Sequence, residues 1–146
     1  MAQISVIHAT VSSTVSGTAA SFVEVVESDA LTNGKTYYIV CHGITKGNNP
    51  AQVFQWRLVD RTNSDAVLSN STLIREVGQN NVPEAYYFVG RITAGGDGGG
   101  IAFEQKSPHT DYTVTTEYLS LMIFDISSMD PGDFFFDNDT TAAEHD

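Results

Sequence analysis

Apolar and polar residues alternate along most of this chain with a period of two. The cleanest run sets Phe54, Trp56 and Leu58 against Gln55 and Arg57, with Val59 as the one apolar exception. It predicts a strand with one face packed inward and the other largely wet. Weaker runs of the same kind occupy residues 3–9, 21–27, 36–42, 84–93 and 101–106, and residues 66–76 hold one or two more. Residues 117–127 differ, because Leu119, Leu121 and Ile123 fall on one strand face and Tyr118, Met122 and Phe124 on the other. A strand apolar on both faces predicts a central position in a sheet.

Turn formers separate these runs. Asn33-Gly34 tolerates positive φ, residues 46–50 and 78–83 are breaker clusters, and residues 60–65 read as a polar turn. Five glycines lie between Gly95 and Gly100 around Asp97, and with a strand on either side they predict a hairpin or wide turn with a flexible tip. No window keeps a helical period for three turns, and turn signals recur at roughly eight- to fifteen-residue intervals, as in sandwiches and jelly rolls. The pattern predicts an all-β chain: one antiparallel β-sandwich domain, jelly-roll-like, over residues 1–128. Residues 1–20 are left as an N-terminal arm or an edge strand, and residues 129–146 as a separate acidic segment.

Composition narrows the chemistry. A chain of 146 residues can bury about 70% of its unfolded surface, so a core forms without staples. The single cysteine, Cys41, sits in an apolar run and reads as a buried thiol; His42 points to the opposite face and does not activate it. A formal net charge of -11 repels phosphate backbones and argues against nucleic acid as a partner. The first basic residue is Lys35, and the early apolar residues are interrupted by His8, Thr10, Ser12 and Ser13, which predicts neither a signal peptide nor a membrane span.

Candidate sites are few. The glycine stretch lacks the Gly-Lys-Ser/Thr ending of a phosphate loop, and His8, His42, His109 and His145 form no close-spaced pair for zinc. Asp133, Asp137, Asn138 and Asp139 offer oxygens for calcium without the glycine and distal glutamate of an EF-hand. Glu104 and Glu117 would be the carboxylate pair of a glycosidase, although any acidic β-protein provides such pairs. Trp56, Tyr38 and Tyr87 would make a sugar-binding platform, but Trp56 shares its face with Phe54 and Leu58 and is expected in the core. The expectation is therefore no catalytic residue, no metal and no cofactor. Phe134, Phe135 and Phe136 remain: three consecutive phenylalanines within an acidic run, expected to dock on the body or on a neighbouring subunit.

Residues 118–127, Tyr-Leu-Ser-Leu-Met-Ile-Phe-Asp-Ile-Ser, lead into Asp130-Pro131-Gly132-Asp133-Phe134-Phe135-Phe136 and then Asp137-Asn138-Asp139-Thr140-Thr141. This succession resembles virion structural proteins of tailed bacteriophages, in which a sandwich strand ending in Asp-Ile/Leu-Ser precedes a Gly-x-Asp-Tyr/Phe-Phe segment and an acidic, Thr-containing tail. Here Gly132 is followed directly by Asp133. Residues 87–92 and 101–107 fit the same resemblance. It implies a non-enzymatic auxiliary head protein of the decoration or cement type, made in the host cytoplasm. Such a protein trimerises and clamps the major capsid protein from the outer head surface, away from DNA and membrane. A tail, fibre or head-fibre attachment component, and a carbohydrate-binding module, are the alternatives.

Overall fold

The period-two alternation becomes eight strands in the computed structural model, which describes residues 2–14, 21–47, 53–74, 83–107 and 113–128. They are β1 (Ala2–Thr14), β2 (Val23–Glu27), β3 (Thr36–Gly47), β4 (Val53–Asp60), β5 (Ala66–Ile74), β6 (Glu84–Thr93), β7 (Ile101–Lys106) and β8 (Thr113–Asp125). A single 3-10 turn, Arg61–Asn63, links β4 to β5. The Ser/Thr-rich residues 10–14 continue β1, with a register shift between Ala9 and Val11. The acidic segment 129–146, with Phe134, Phe135, Phe136 and the calcium candidates Asp133, Asp137, Asn138 and Asp139, lies outside the described residues, as does His109.

Four antiparallel pairings, β1 with β8, β2 with β7, β3 with β6 and β4 with β5, nest inside one another around the 3-10 turn. The chain is one long hairpin, and rolling it up lets β3 also pair with β8 and β4 with β7. The result is two four-stranded sheets: sheet A, in the order β1-β8-β3-β6, and sheet B, in the order β2-β7-β4-β5. This is the strand order of a jelly roll. The apolar strand β8 is held on both sides, by β1 and β3, so it is central as its two-sided pattern predicts.

Between the sheets lies the core. Ile39, Cys41, Leu119, Leu121 and Ile123 of sheet A, each 0% exposed, meet Trp56, Leu58, Ile101 and Phe103 of sheet B. Each such side chain contributes roughly 1.5–3 kcal/mol by leaving water. Tyr86 packs against both Trp56 and Phe103, with ring centroids 4.8 and 5.1 Å away, and these two lie 6.1 Å from each other. Gly43 makes room for it, since a Cβ there would come within 2.3 Å of the Tyr86 hydroxyl and of the Tyr118 carbonyl oxygen. Toward one end the interior turns polar: the Thr116 hydroxyl donates to Gln105 Oε1 at 2.6 Å, and Gln105 Nε2 donates to the Val114 carbonyl at 3.3 Å.

Two expectations change. The glycine stretch is neither a hairpin nor a flexible tip, because β6 belongs to sheet A and β7 to sheet B, and the crossing between them is tied down. Gly95 N donates to Thr62 Oγ1 at 2.9 Å, Gly100 N to Glu27 Oε1 at 2.8 Å, and Leu31 N to the Gly99 carbonyl at 2.9 Å. Glycine is needed here for close approach, since a Cβ on Gly100 would meet Ser28 Oγ at 2.3 Å. The polar turn at 60–65 is likewise half interior. Asp60, 2% exposed, accepts from Thr62 N at 2.9 Å, Thr62 Oγ1 at 2.5 Å and Asn63 Nδ2 at 2.6 Å, capping the 3-10 turn against the glycine crossing.

Candidate interaction surface

The residues singled out for chemistry are separated by the fold. Glu104 lies on β7 and is bound by Arg57 and Arg61, whereas Glu117 lies on β8 in the other sheet and holds Lys46 at 2.5 Å. The pair that would serve a glycosidase is therefore split between two sheets and neutralised by cations. Cys41 is wholly buried, which pushes its thiol up to about 12. His42 sits on the reverse face of β3 against the Tyr118 ring, with centroids 5.4 Å apart. Among the described residues no group of three or more His, Cys, Asp or Glu side chains is close enough to hold a metal ion. Trp56 is 4% exposed in the core, while Tyr87 is 68% exposed and Tyr38 partly buried on the far side of sheet A, so the three form no platform.

The outer faces of the two sheets differ sharply. On sheet B, Arg61 donates to Glu24 at 2.8 Å, to Asp65 at 2.9 Å and to Glu104 at 3.0 Å. The Arg57 guanidinium carbon lies 4.1 Å from the centroid of the Phe22 ring. Glu104 is only 5% exposed under this cluster. The side expected to be largely wet is thus roofed over: Val59 is 0% exposed, and Gln55 and Arg57 are partly buried. Its own ion pairs cover the β7–β4 part of this face, while Val67 on β5 is 46% exposed.

On sheet A the outward residues form lateral rows, because directly opposed residues on paired strands share a face. One row is Phe124, Tyr38 and Arg91; the next is Met122, Val40 and Val89; the third is Ser120, His42 and Tyr87; the fourth is Tyr118, Ile44 and Ala85. By register, β1 pairs Gln3 with Phe124, Val6 with Met122 and His8 with Ser120. Tyr87, Tyr118 and Ile44 are 68%, 39% and 38% exposed. Burial, and secondarily the neighbouring Tyr87 phenol, raises Tyr38 above the usual tyrosine value. No acid stands in these rows, in a chain with 18 carboxylates, and Arg91 is their single permanent charge. The carboxylates flanking the rows on β8 are held by lysines, Glu117 by Lys46 at 2.5 Å and Asp125 by Lys35 at 2.7 Å.

Sequence reading registered the second apolar face of residues 117–127 only as the mark of a central strand. It missed the contribution of β6, whose Tyr87 and Val89 show an apolar alternation that does not say which sheet they join. Phe134, Phe135 and Phe136 follow β8 in sequence and lie outside the described residues.

No protein-family model matches the sequence, and no curated protein matches it. The fold is similar to a chain in a structure of infectious bursal disease virus, Gx strain, with a TM-score of 0.53 and 9% identity. The likeness covers 82% of this chain and 31% of that one. At this identity it is a likeness of fold.

Proposed function

We propose that this protein is a non-enzymatic virion structural component of a tailed bacteriophage, most specifically a decoration or cement protein on the outer head surface, with the major capsid protein as its partner. The observation that carries this reading is the acid-free, apolar outer face of sheet A on an otherwise strongly acidic jelly roll. Jelly rolls serve viral particles and sugar-binding proteins alike, so the fold alone does not choose. Against the sugar-binding reading stands the burial of Trp56 in the core. In favour of the particle stand the phage-like succession from residue 118 to 141 and the similarity of fold to a viral chain.

The mechanism would be adhesion. An apolar sheet face and the phenylalanine segment supply weak contacts, and repetition around a homo-oligomer, with a trimer favoured, multiplies them through effective concentration. Negative charge elsewhere keeps the free protein soluble and suits the outside of a head better than its DNA-lined interior.

The test is to mix purified protein with heads that lack auxiliary protein, sediment, and heat the pelleted particles. Co-sedimentation with delayed release of DNA is expected. Protein that stays in the supernatant and leaves head stability unchanged removes the proposal.

A further inference from the structure

We infer that a water molecule is bound in the interior of the roll, held by the Trp56 indole and the Tyr86 hydroxyl, as a constant part of the folded protein. The inference concerns this chain alone and does not depend on the particle reading.

Among the described residues, two buried side-chain polar atoms find no hydrogen-bond partner in the protein, Trp56 Nε1 and the Tyr86 hydroxyl. They belong to side chains packed against each other, with ring centroids 4.8 Å apart. The indole does not spend its N–H on a ring face, because it is tilted only 34° from the plane of Tyr86 and 23° from that of Phe103, far from edge-on. Burial first, and then the neighbouring Cys41, raises the Tyr86 phenol above its ordinary value, so it keeps its proton. Both orphans are therefore donors. Unpaired, each would give up its hydration for nothing in return, which is why buried N–H and O–H groups without a partner are rare.

The surroundings supply what a water needs. Thr45 and Thr116 stand opposite each other on β3 and β8, Gln105 stands opposite Trp56 on β7, and all three are wholly buried. Thr116 gives its proton to Gln105 Oε1 at 2.6 Å, so in its 3.4 Å contact with Thr45 it accepts and Thr45 donates. Both hydroxyl protons are thus committed, and lone pairs remain on Thr45 Oγ1 and Gln105 Oε1. The Tyr86 hydroxyl faces Thr45 and Thr116 without closing a bond to either. A water accepts from Trp56 and Tyr86 and gives its protons to the threonine and glutamine oxygens, about three bonds or more, as internal waters do. The chemistry admits little else. The core cluster holds no Lys or Arg to balance an anion, and a larger neutral molecule would have to part the rings of Trp56, Tyr86 and Phe103.

The test reads the water and its site separately, on the full chain. With 15N labelling, the indole N–H of Trp56, the one tryptophan, should show cross-peaks to water of opposite sign in NOESY and ROESY spectra, as a long-held water gives. No such cross-peaks would overturn the inference. Oxygen-17 relaxation dispersion, which does not respond to protein hydroxyl groups, should lose about one slowly exchanging water in Trp56→Phe/Tyr86→Phe. Equal dispersion in the wild type and the folded double variant overturns it as well. Tyr86→Phe alone should lower the urea midpoint by about 0.5 M, because a bonded hydroxyl is removed. A midpoint that holds or rises would mean that the hydroxyl was unpaired, and would contradict the shared water.

Discussion

Asp60→Ala tests the buried polar knot that fixes the β4–β5 end of the roll. Two of the three donors to the carboxylate belong to Thr62, 1% exposed, whose backbone N and hydroxyl both point at Asp60 Oδ1. Removing the carboxylate strands both, at about 1–3 kcal/mol each. The third donor, Asn63 Nδ2, retains the Thr93 carbonyl at 3.1 Å and costs little. Relief of the buried charge offsets part of the loss, leaving a net destabilisation of about 3 kcal/mol. Asp60→Asn keeps an oxygen for Thr62 and sets its own amide against that of Asn63, so it should cost only about 1 kcal/mol. Urea unfolding followed by Trp56, the one tryptophan, reads both. At roughly 2 kcal/mol per M, the midpoint should fall by about 1.5 M for alanine and about 0.5 M for asparagine. Equal shifts, or an alanine shift below that of asparagine, would refute the view that Thr62's donors carry the effect.

Three further outcomes follow from the same structure. Gly100→Ala should lower the melting temperature by about 3–10 °C, as for ~1–3 kcal/mol of overpacking, whereas Gly96→Ala, whose Cβ would be 3.5 Å from Asn33 Nδ2, should leave it nearly unchanged. Cys41, buried with its thiol pushed up to about 12, should resist a thiol reagent at pH 8 and react stoichiometrically once urea unfolds the chain. Lys35 first, and then Ser127, hold Asp125 down at about 2, against an ordinary 3.8. A depressed carboxylate stabilises above its unfolded value and loses that contribution as pH falls through its folded one. The stability difference between wild type and Asp125→Asn should therefore be constant above about pH 5 and vanish between about pH 4 and 2. A difference that persists below pH 2 would show that Asp125 acts other than through its charge.

Period-two patterning made the strands legible, because each face is decided by local alternation, and β6 and β7 match their predicted spans. The central place of residues 117–127 was legible for the same reason: only a doubly covered or docking strand keeps Tyr118, Met122 and Phe124 behind Leu119, Leu121 and Ile123. Which strands neighbour one another was not, since alternation carries no information about the sheet to which a strand belongs. That is why the glycine stretch read as a hairpin or a wide turn, when β6 and β7 lie in opposite sheets. Residues 60–65 were legible as a polar turn, but the burial of Asp60 and Thr62 was not. Their burial depends on a crossing thirty residues away, at Gly95.

The candidate surface on sheet A shows the same division. Its β8 half follows from one apolar segment, while its β3 and β6 half exists only once register aligns Val40 with Met122 and Val89. Conversely, the ion pairs of Arg57 and Arg61 with Glu104 cover part of the other outer face by joining β7 to β4 and its adjoining 3-10 turn, 47 and 43 residues away in sequence.

The central claim is that sheet A's outer face attaches this protein to a virion head. Co-sedimentation with undecorated heads, comparing wild type with full-length Tyr87→Asp/Val89→Asp, tests it most directly. The wild-type chain should pellet with the heads and the variant, equally folded by circular dichroism, should remain in the supernatant. Equal pelleting of both, or of neither, would contradict the account.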